Sequence, residues 1–390
     1  MIGGGQLARM THQAAIALGQ CLRVLAANPD DPAAQVSADV VIGSHEDLAA
    51  LRTAAAGATA VTFDHEGVPL ELLRALEAEG VVVRPPSTAL HFAQDKLAMR
   101  TRLSELGLPI PDFADLSGAD ARTELIRFGE AHDWRIVLKT IRGGYDGRGV
   151  WLLDDRDSAL AVFDEHHAKT TLIAEQKVAM RRELSAMIGR SPFGQGVAWP
   201  VVQTVQRNGQ CAVVIAPAPD LDSEVAEAAQ QMSLRLADEL GVVGVMAMEL
   251  FETDDGRLLV NELAMRPHNS GHWTMDGAVT GQFEQHIRAV LDYPLGDPTP
   301  RAPVTVMANI LGAEPAPQMS MDERLHHLMA RMPEAKVHLY GKGERPDRKI
   351  GHVNIVGAEN DSSPDVRERA ERAAHWMSHA VWTDGWDPHS

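Results

Sequence analysis

The chain has 390 residues, 45% hydrophobic and 23% charged, which is the composition of a globular protein and excludes disordered and collagen-like chains. Its net charge of −18 argues against a general role in coating nucleic acids. Two distant cysteines exclude a disulfide framework, and no apolar run approaches the roughly 18 residues of a membrane helix or forms a signal peptide, so we expect a cytoplasmic protein without membrane partners.

Short apolar strands alternate with helical stretches over residues 1–90, which predicts an α/β segment with a doubly wound parallel sheet. Only Met1 and Ile2 precede the first glycines, so the strand expected before them is almost absent. Arg84-Pro85-Pro86 ends the pattern and marks a boundary. The predicted strands are 21–26, 39–42, 60–63 and 81–83, and the predicted helices are 6–18, 46–56 and 70–79.

The pattern changes after this boundary. One long helix is predicted first, and two strands then flank a glycine-rich turn as a hairpin. A proline-rich stretch at 297–303 marks a second boundary. Predicted helices are 90–106, 223–240 and 364–380, and predicted strands are 135–140, 150–153, 171–176, 184–188, 242–251, 257–263, 304–310 and 335–339.

The N-terminal turn Gly3-Gly4-Gly5-Gln6-Leu7-Ala8 matches G-x-G-x-x-A, which lets a helix N-terminus face an anion. It predicts a phosphate contact. Asp30 and Asp31, about 20 residues further on, keep a dinucleotide site open as an alternative. A plain tight turn is the other interpretation.

A second glycine-rich segment runs from Lys139 to Gly149 and contains Arg142-Gly-Gly-Tyr-Asp-Gly-Arg-Gly. Its amides can wrap a polyphosphate, and Lys139 adds a compact cation. No Gly-Lys-Ser/Thr follows, so it is not a P-loop. We predict nucleotide phosphate binding here, with a flexible hairpin tip as the alternative.

Two glutamates flank the predicted turn at Asp255-Gly256. A two-residue type I′ turn places Glu249 directly opposite Glu262. Facing carboxylates repel each other, but a hard cation such as Mg²⁺ that binds both makes their proximity favourable. The pair therefore predicts a metal site, unless the register differs and one glutamate is solvated.

Polar residues are dense at 261–273, directly after an apolar strand. Arg266 is a candidate for stabilising an anionic intermediate, and His268, Asn269 and Ser270 for contacting substrate. Loop histidines or a zinc site that includes His272 are the alternatives, although no further ligand lies at useful spacing.

Basic residues cluster at 340–349 of this acidic chain. Such a cluster is typical of a phosphate-binding pocket, and a solvated basic loop is the alternative. The cluster consists of Lys342, Arg345, Arg348 and Lys349.

Taken together, these segments resemble the ATP-grasp ligases. Within that superfamily the chain is most similar to the 5-(carboxyamino)imidazole ribonucleotide synthetases, the ATPase subunits of phosphoribosylaminoimidazole carboxylase. The motifs that carry the resemblance occur in order over nearly the whole chain: GGGQLARM at Gly3, GGYDGRG at Gly143, EQ at Glu175, GVMAMEL at Gly244, NELAMRPHNSGHWT at Asn261 and RPDRKIGH at Arg345.

The resemblance implies a Rossmann-like parallel sheet at 1–90, an ATP-grasp subdomain with a small mobile lid at 91–178, a larger mixed-sheet domain at 179–300, and a C-terminal part at 301–390. Magnesium, in two ions, is expected on Glu249 and Glu262. The implied catalytic residues are Asp146, Arg148, Arg266 and His268. The implied ATP-binding residues are Lys96, Lys139, Gly144, Tyr145, Asp146, Gly147, Arg148, Gly149, Val150, Glu175, Gln176, Lys177, Val178 (the adenine hinge being 175–178), Glu183 for the ribose, Gln206, Asn261 and Glu262. The implied substrate-binding residues are Gln6, Leu7, Glu66, Tyr145, Asn269, Ser270, Lys342, Arg348 and Lys349.

The activity implied is ATP-dependent carboxylation of aminoimidazole ribonucleotide by bicarbonate, through carboxyphosphate, in a cytoplasmic homodimer. Two departures from the family pattern occur: Gln206 where some relatives carry His, and Met265 where Pro is more usual. A formate-using transformylase of glycinamide ribonucleotide is one alternative. A dinucleotide-binding regulatory module is another.

Overall fold

The computed structural model describes residues 1–144 and 149–386. A small parallel sheet organises the first part of the chain. Two of its strands pair along their length, and single parallel bridges join Ile2 to Leu25 and Phe63, and Val61 to Val83. The predicted parallel sheet is therefore confirmed, although the strands predicted at 60–63 and 81–83 are reduced to bridges. The elements are β1 (Val24–Ala26), β2 (Val40–Ile42), α1 (Gln6–Ala17), α2 (Leu48–Ala55) and α3 (Leu70–Ala78).

Met1 and Ile2 fill the central position of this sheet. Ile2 donates its N–H to Thr62 O at 2.8 Å and accepts from Asp64 N at 2.8 Å, while Leu25 N donates to Met1 O at 2.9 Å. The place of the strand that the sequence left almost absent is thus taken by Met1 and Ile2, through single bridges at Ile2. They direct the following glycines and α1 toward one edge of the sheet.

The single helix predicted at 90–106 is wrong. The segment forms two helices, α4 (Ser87–Gln94) and α5 (Lys96–Glu105). Asp95 between them is extended, and its side chain accepts a hydrogen bond from Ala98 N at 2.9 Å. An aspartate that caps a helix in this way starts a new helix because it satisfies an amide that has no intrahelical acceptor.

A second, four-stranded antiparallel sheet forms the predicted lid. Lys139 pairs with Val150, so the hairpin predicted around the glycine-rich turn is confirmed. Leu125, Leu138 and Phe163 are buried in the core between sheet and helices. The elements are β3 (Phe113–Leu116), α6 (Ala121–Ala131), β4 (Ile136–Thr140), β5 (Val150–Leu153), α7 (Arg156–His166) and β6 (Leu172–Gln176), with strand order β3-β6-β4-β5.

A nine-stranded sheet organises the rest of the described chain. Its strands are β7 (Met180–Arg190), β8 (Gly196–Ala198), β9 (Val202–Arg207), β10 (Gln210–Ala216), β11 (Gly244–Thr253), β12 (Leu258–Ala264), β13 (Thr305–Leu311), β14 (Lys336–Leu339) and β15 (Lys349–Val356). The order is β12-β11-β7-β9-β10-β13-β15-β14, with β8 on β7.

Every pairing between these named strands is antiparallel, and a single parallel bridge joins Gly312, after β13, to Pro346. The hairpins β9–β10 and β11–β12 enforce antiparallel neighbours. Because β13 pairs with β10, the C-terminal part continues the same sheet rather than forming another. The helices of this region are α8 (Ser223–Glu239), α9 (Thr274–Gly277), α10 (Gln282–Val290), α11 (Met321–Arg331) and α12 (Ser363–His379).

The largest apolar core joins the first part of the chain to the large sheet. It includes Leu73 of α3, Leu103 of α5, Leu236 of α8 and Met248 of β11. None of the helices in the described residues combines the length and apolar character needed to cross a membrane. The two sheets and the first domain meet around the carboxyl end of β12.

Candidate active site

Glu249 of β11 and Glu262 of β12 are direct partners in the antiparallel register. Paired residues of neighbouring strands point to the same face of the sheet. The two carboxylates therefore lie side by side, and the predicted pairing is confirmed.

The turn that produces this pairing differs from the prediction. Thr253 N donates to Arg257 O at 2.9 Å, so three residues rather than two form the turn, and Gly256 supplies its positive φ of 79°. Three residues alone would move Glu262 to the opposite face. A bulge at Asn261 restores the register.

The electrostatics of the pair fit a cation site. Burial, followed by repulsion from Glu262 and Glu183, raises the pKa of Glu249 to about 8. Glu262 Oε1 lies 3.2 Å from Lys96 Nζ. The described residues contain no group of three or more His, Cys, Asp or Glu that could hold a metal by itself. A Mg²⁺ ion here would take its remaining ligands from phosphate oxygens and water, as Mg²⁺ does in many phosphate-transfer sites.

Lys139, the penultimate residue of β4, lies on the lid side of the same cleft. Its Nζ lies 2.7 Å from Glu175 Oε2 and 3.4 Å from Asn261 Oδ1. Asn261 directly precedes Glu262, so Lys139 and the carboxylate pair belong to one site. The structure therefore brings together the cation and the carboxylates that the sequence singled out.

The predicted adenine hinge lies at the end of β6 and just beyond it. Glu175 is buried, and its carboxylate is engaged by Lys139 and by Arg100. Lys177 Nζ contacts both oxygens of Asp154 at 2.7 Å. Since these two side chains already have partners, adenine contacts at 175–178, including those predicted for Gln176 and Val178, would fall mainly to the main chain.

Glu183 of β7, predicted to bind ribose, accepts a hydrogen bond from Gln206 Nε2 at 2.9 Å. Burial raises the pKa of Glu183. Gln206, the departure from the family pattern, thus orients Glu183. Both residues stay predictions as nucleotide contacts.

The glycine-rich loop is described only at its two ends. Gly144 precedes the gap, and Gly149 with Val150 follows it, where Thr140 N donates to Gly149 O at 2.9 Å. Arg142 Nε lies 2.9 Å from Asp95 Oδ2. The predictions for Tyr145, Asp146, Gly147 and Arg148 lie outside the described residues.

The segment after β12 places Arg266 and His268 beside the carboxylate pair. Arg266 Nε donates to Glu66 Oε2 at 2.8 Å, which joins this segment to the first domain. His268 Nε2 lies 3.4 Å from Glu249 Oε1. Burial, with smaller contributions from Arg266 and Lys349, lowers the pKa of His268 to about 3, so its imidazole is neutral.

Two neighbouring residues support this segment. Ser270 is fully buried, and its hydroxyl lies 2.8 Å from both His268 Nδ1 and Ser185 Oγ. Ser270 orients His268. It does not line the cleft as predicted, because no part of the residue is exposed to solvent. Asn269 and Asn309 exchange hydrogen bonds through their side-chain amides. His272, the second histidine of the zinc alternative, instead contacts Gln282.

The first turn of α1 is capped from within the chain. Asp64 accepts from Gly5 N at 2.5 Å and from Ala8 N at 2.9 Å. A carboxylate thus occupies the place where the glycine turn was predicted to hold a phosphate. Asp31 likewise accepts from the amides of residues 27 and 28, and both contacts argue against the dinucleotide alternative. Gln6 and Leu7 lie between the two capped amides.

The basic segment at 340–349 lies against this first domain. Gln35 Nε2 donates to Gly341 O at 2.9 Å. Arg348 Nη1 donates to Gly343 O at 3.1 Å, and Lys342 Nζ lies 5.9 Å from the centre of the Tyr340 ring. The positive charge of Lys349 partly offsets the rise in the pKa of Glu249, so this end of the segment lies near the carboxylate pair.

Comparisons with known proteins agree with this geometry. Family models match the ribonucleotide synthetase preATP-grasp domain at 1–94, the ATP-grasp domain at 101–283 and the phosphoribosylaminoimidazole carboxylase C-terminal domain at 305–365. The N5-carboxyaminoimidazole ribonucleotide synthase of Mycobacterium tuberculosis is 63% identical over 390 residues, covering all of this chain and 90% of the relative. That of Corynebacterium ammoniagenes is 48% identical, covering 99% of this chain and 93% of the relative.

The chain belongs to the N5-carboxyaminoimidazole ribonucleotide synthase family. Solved structures of this family superpose over nearly the whole chain. The synthetase of Thermus thermophilus has a TM-score of 0.85 at 34% identity, covering 99% of this chain and 100% of that one. The Aspergillus clavatus enzyme, in complex with ADP and 5-aminoimidazole ribonucleotide, has a TM-score of 0.84 at 28% identity, covering 96% of each chain. The predicted family and ATP-grasp fold are confirmed.

Sequence reasoning missed one residue of this site, Arg100. It lies on α5, one turn after Lys96, and is completely buried. The available signal was the spacing of Lys96 and Arg100, which places two cations on one helix face behind the capping residue Asp95. Its partners on distant strands were not visible in that pattern.

Proposed function

We propose that the chain is an ATP-dependent ligase that carboxylates 5-aminoimidazole ribonucleotide with bicarbonate. The products are 5-(carboxyamino)imidazole ribonucleotide, ADP and phosphate, and the step belongs to de novo purine biosynthesis. Family membership supports the reaction. The observation that carries it in this chain is the pairing of Glu249 with Glu262 across the cleft from Lys139.

Magnesium is part of this proposal. Glu249 and Glu262 would hold it, in two ions. Burial and then repulsion from Glu262 raise the pKa of Glu249, and a cation bound here would offset both effects, which supports the assignment. When bound, magnesium neutralises negative charge on the phosphate groups. Lys139 on the lid side and Lys96, whose Nζ lies 3.2 Å from Glu262 Oε1, add fixed positive charge to the cleft.

The chemistry has two steps. A bicarbonate oxygen attacks the γ-phosphorus of ATP, ADP leaves, and carboxyphosphate forms. The exocyclic amine of the ribonucleotide then attacks the carboxyl carbon, phosphate leaves, and the amine loses a proton. Asp146 is the candidate that positions or deprotonates the amine, and Arg266, Arg148 and His268 would stabilise the anhydride.

The nucleotide substrate would lie between the first domain and the basic segment at 340–349. The Gln35–Gly341 hydrogen bond, which joins these two parts, supports this location, and the Arg266–Glu66 ion pair places the segment after β12 beside the same domain. The first turn of α1 would contact the ligand from one side and the cations from the other. The proposed contacts are Gln6, Leu7, Glu66, Tyr145, Asn269, Lys342, Arg348 and Lys349.

We further propose a homodimer that acts in the cytoplasm on small molecules, without nucleic-acid or membrane partners. The low cysteine content supports the compartment and the acidic composition argues against nucleic-acid partners, whereas the homodimer is what the family resemblance implies. Size-exclusion chromatography with light scattering measures the assembly directly. A monomer would contradict it.

The reaction is tested by ADP release from the purified chain. We expect release that requires bicarbonate and 5-aminoimidazole ribonucleotide together. Release that requires formate and glycinamide ribonucleotide would favour the transformylase instead. Binding of NAD without any ATP turnover would favour a dinucleotide-binding module.

The site assignment is tested by Glu262→Ala. Losing one carboxylate of the pair should lower turnover at least about 100-fold, equivalent to about 2.7 kcal/mol of transition-state stabilisation. Glu130→Ala, on the exposed surface of α6, is the matched control and should keep wild-type turnover. Equal rates in wild type and Glu262→Ala would refute the assignment.

A further inference from the structure

Arg100 connects three parts of the molecule at the proposed nucleotide site. Its Nε donates to Glu175 Oε1 at 2.9 Å and its Nη2 to Glu175 Oε2 at 3.0 Å. Its Nη1 donates to Val260 O at 2.8 Å. A buried guanidinium with two parallel bonds to one carboxylate is held in a single orientation. Arg100 therefore fixes α5 to the end of β6 and to β12.

Charge balance in this cluster depends on Arg100. Glu175 Oε2 also accepts from Lys139 Nζ at 2.7 Å. Without Arg100, Lys139 and Glu175 would form a neutral pair, and the lysine charge would be cancelled. With Arg100 the three side chains carry one net positive charge. Burial would raise the pKa of Glu175, but Arg100 and Lys139 hold it at about 2, so the carboxylate is ionised.

The third bond of Arg100 reaches the carboxylate side of the site. Val260 directly precedes the bulge residue Asn261, whose Oδ1 lies 3.4 Å from Lys139 Nζ. Lys96, one turn before Arg100, lies 3.2 Å from Glu262 Oε1. Arg100 is thus completely buried, and its partners border the residues that would bind phosphate and metal.

We propose that Arg100 is a positioning residue that acts through Glu175. It offsets the charge of this carboxylate and fixes its direction, so that Lys139 keeps a positive charge available to the nucleotide phosphates. The inference rests on the proposed ATP-binding role of Lys139. It adds a residue outside the cleft that sets the affinity for ATP.

The test measures the equilibrium dissociation constant for ATP, without the other substrates, in four variants. Arg100→Met should weaken ATP binding at least about 10-fold, because one charge is lost from the cluster. The double variant Arg100→Met, Glu175→Gln removes both charges and should return affinity to within about 3-fold of wild type. Arg100→Lys keeps the charge with a different geometry and should fall between wild type and Arg100→Met. Arg102→Met, on the same helix and partly exposed, is the control and should bind like wild type.

A purely structural role predicts a different pattern. Loss of packing alone would make the double variant at least as weak as Arg100→Met, and that result would overturn the proposal. The KM for 5-aminoimidazole ribonucleotide should stay within about 2-fold of wild type in Arg100→Lys, because the effect is confined to ATP. If Arg100→Met does not fold, the folded double variant provides the test. ATP binding by it that is more than about 10-fold weaker than in wild type would refute the inference.

Failure of the inference is distinct from failure of the proposed function. A wild-type chain that does not bind ATP would remove the basis for both. Wild-type binding that Lys139→Ala abolishes, together with normal binding by Arg100→Met, would remove only the role of Arg100.

Discussion

Glu249 is held beside Glu262 in the cleft, and burial, followed by repulsion between the two carboxylates, raises its pKa to about 8. A carboxyl group with a pKa above its unfolded value binds more protons in the folded state. Stability is therefore lost as pH rises from about 4.5 to about 8 in the metal-free protein. Above that range both states are ionised and the loss stays constant.

Glu249→Gln removes this repulsion. In metal-free protein at pH 8.5 we expect the thermal midpoint to rise by about 2–4 °C relative to wild type, with the difference shrinking toward pH 5. Adding Mg²⁺ should raise the midpoint of wild type more than that of the variant. Differential scanning calorimetry across pH measures both effects, with Glu130→Gln as control. A pH-independent difference would contradict the repulsion argument.

At the residue scale the sequence predicted chemistry better than contacts. The spacing of Glu249 and Glu262 around a turn was enough to predict their pairing. The predicted turn was one residue too short. The bulge at Asn261, which restores the pairing of the two glutamates, cannot be recognised from a single sequence. The bonds of Arg100 to Glu175 and Val260 join residues far apart in the chain, and local patterns carry no information about them.

Single elements show which local signals are reliable. Helices with an apolar face and a terminal cap, such as α8 and α12, were predicted to within one or two residues. The strand β15 was missed because His352 and Asn354 are buried within it and interrupt its apolar pattern. The break at Asp95 was missed because apolar residues continue on both sides of it.

The cap of α1 leads to a prediction at this scale. Asp64→Ala leaves the amides of Gly5 and Ala8 without their partner, and we expect the free energy of unfolding to fall by about 1–2 kcal/mol. Urea denaturation measures this loss. Asp47→Ala removes an exposed cap of α2 that holds only Ala49 N, and it should cost about 0.5–1 kcal/mol. Equal losses would show that the second amide contributes nothing.

The whole molecule is joined by buried polar contacts between its parts. His286 of α10 is fully buried, with Thr62 Oγ1 2.7 Å from its Nε2, and with Val245 N donating to its Nδ1 at 3.1 Å. The amide donor fixes the tautomer, so Nε2 carries the proton and donates to Thr62. Gly244 beside it, at φ 119°, leaves space for the ring, because a Cβ there would lie 2.9 Å from Nδ1.

This contact makes folding sensitive to acid. Burial lowers the pKa of His286 to about 3, so between that value and about 6.5 the unfolded state binds more protons. Stability contributed by the neutral ring is therefore lost as pH falls through this range. The imidazolium form could not accept the hydrogen bond from Val245.

His286→Gln tests the contact. We expect a loss of about 1–2 kcal/mol at pH 7.5, since hydrogen bonds and packing are disturbed, and a smaller further loss than wild type between pH 7 and pH 5. Urea midpoints measured across that range give the comparison. His326→Gln on exposed α11 should follow the wild-type curve. An unchanged acid dependence in His286→Gln would contradict this account.

The sequence was enough to predict the kind of each domain, but not how distant strands pair within it. Alternating strands and helices indicated the first domain, and the glycine-rich hairpin indicated the lid. The central role of Met1 and Ile2 could not be predicted, because two residues form no pattern and their place depends on neighbours on both sides. The continuous antiparallel sheet likewise follows from pairings such as β10 with β13, which are set by tertiary packing.

The hairpin of β11 and β12 also determines which changes of length keep the two acids together. A residue lost from the turn leaves Thr253 paired with Arg257, and the loss of Asn261 leaves Glu262 directly after Val260, so Glu249 still faces Glu262 in both cases. A residue lost from 250–252 would instead pair Glu249 with Val260 and separate the acids. Alignment gaps in this hairpin are therefore expected at the turn or at the bulge, and not in the part of β11 between Glu249 and the turn.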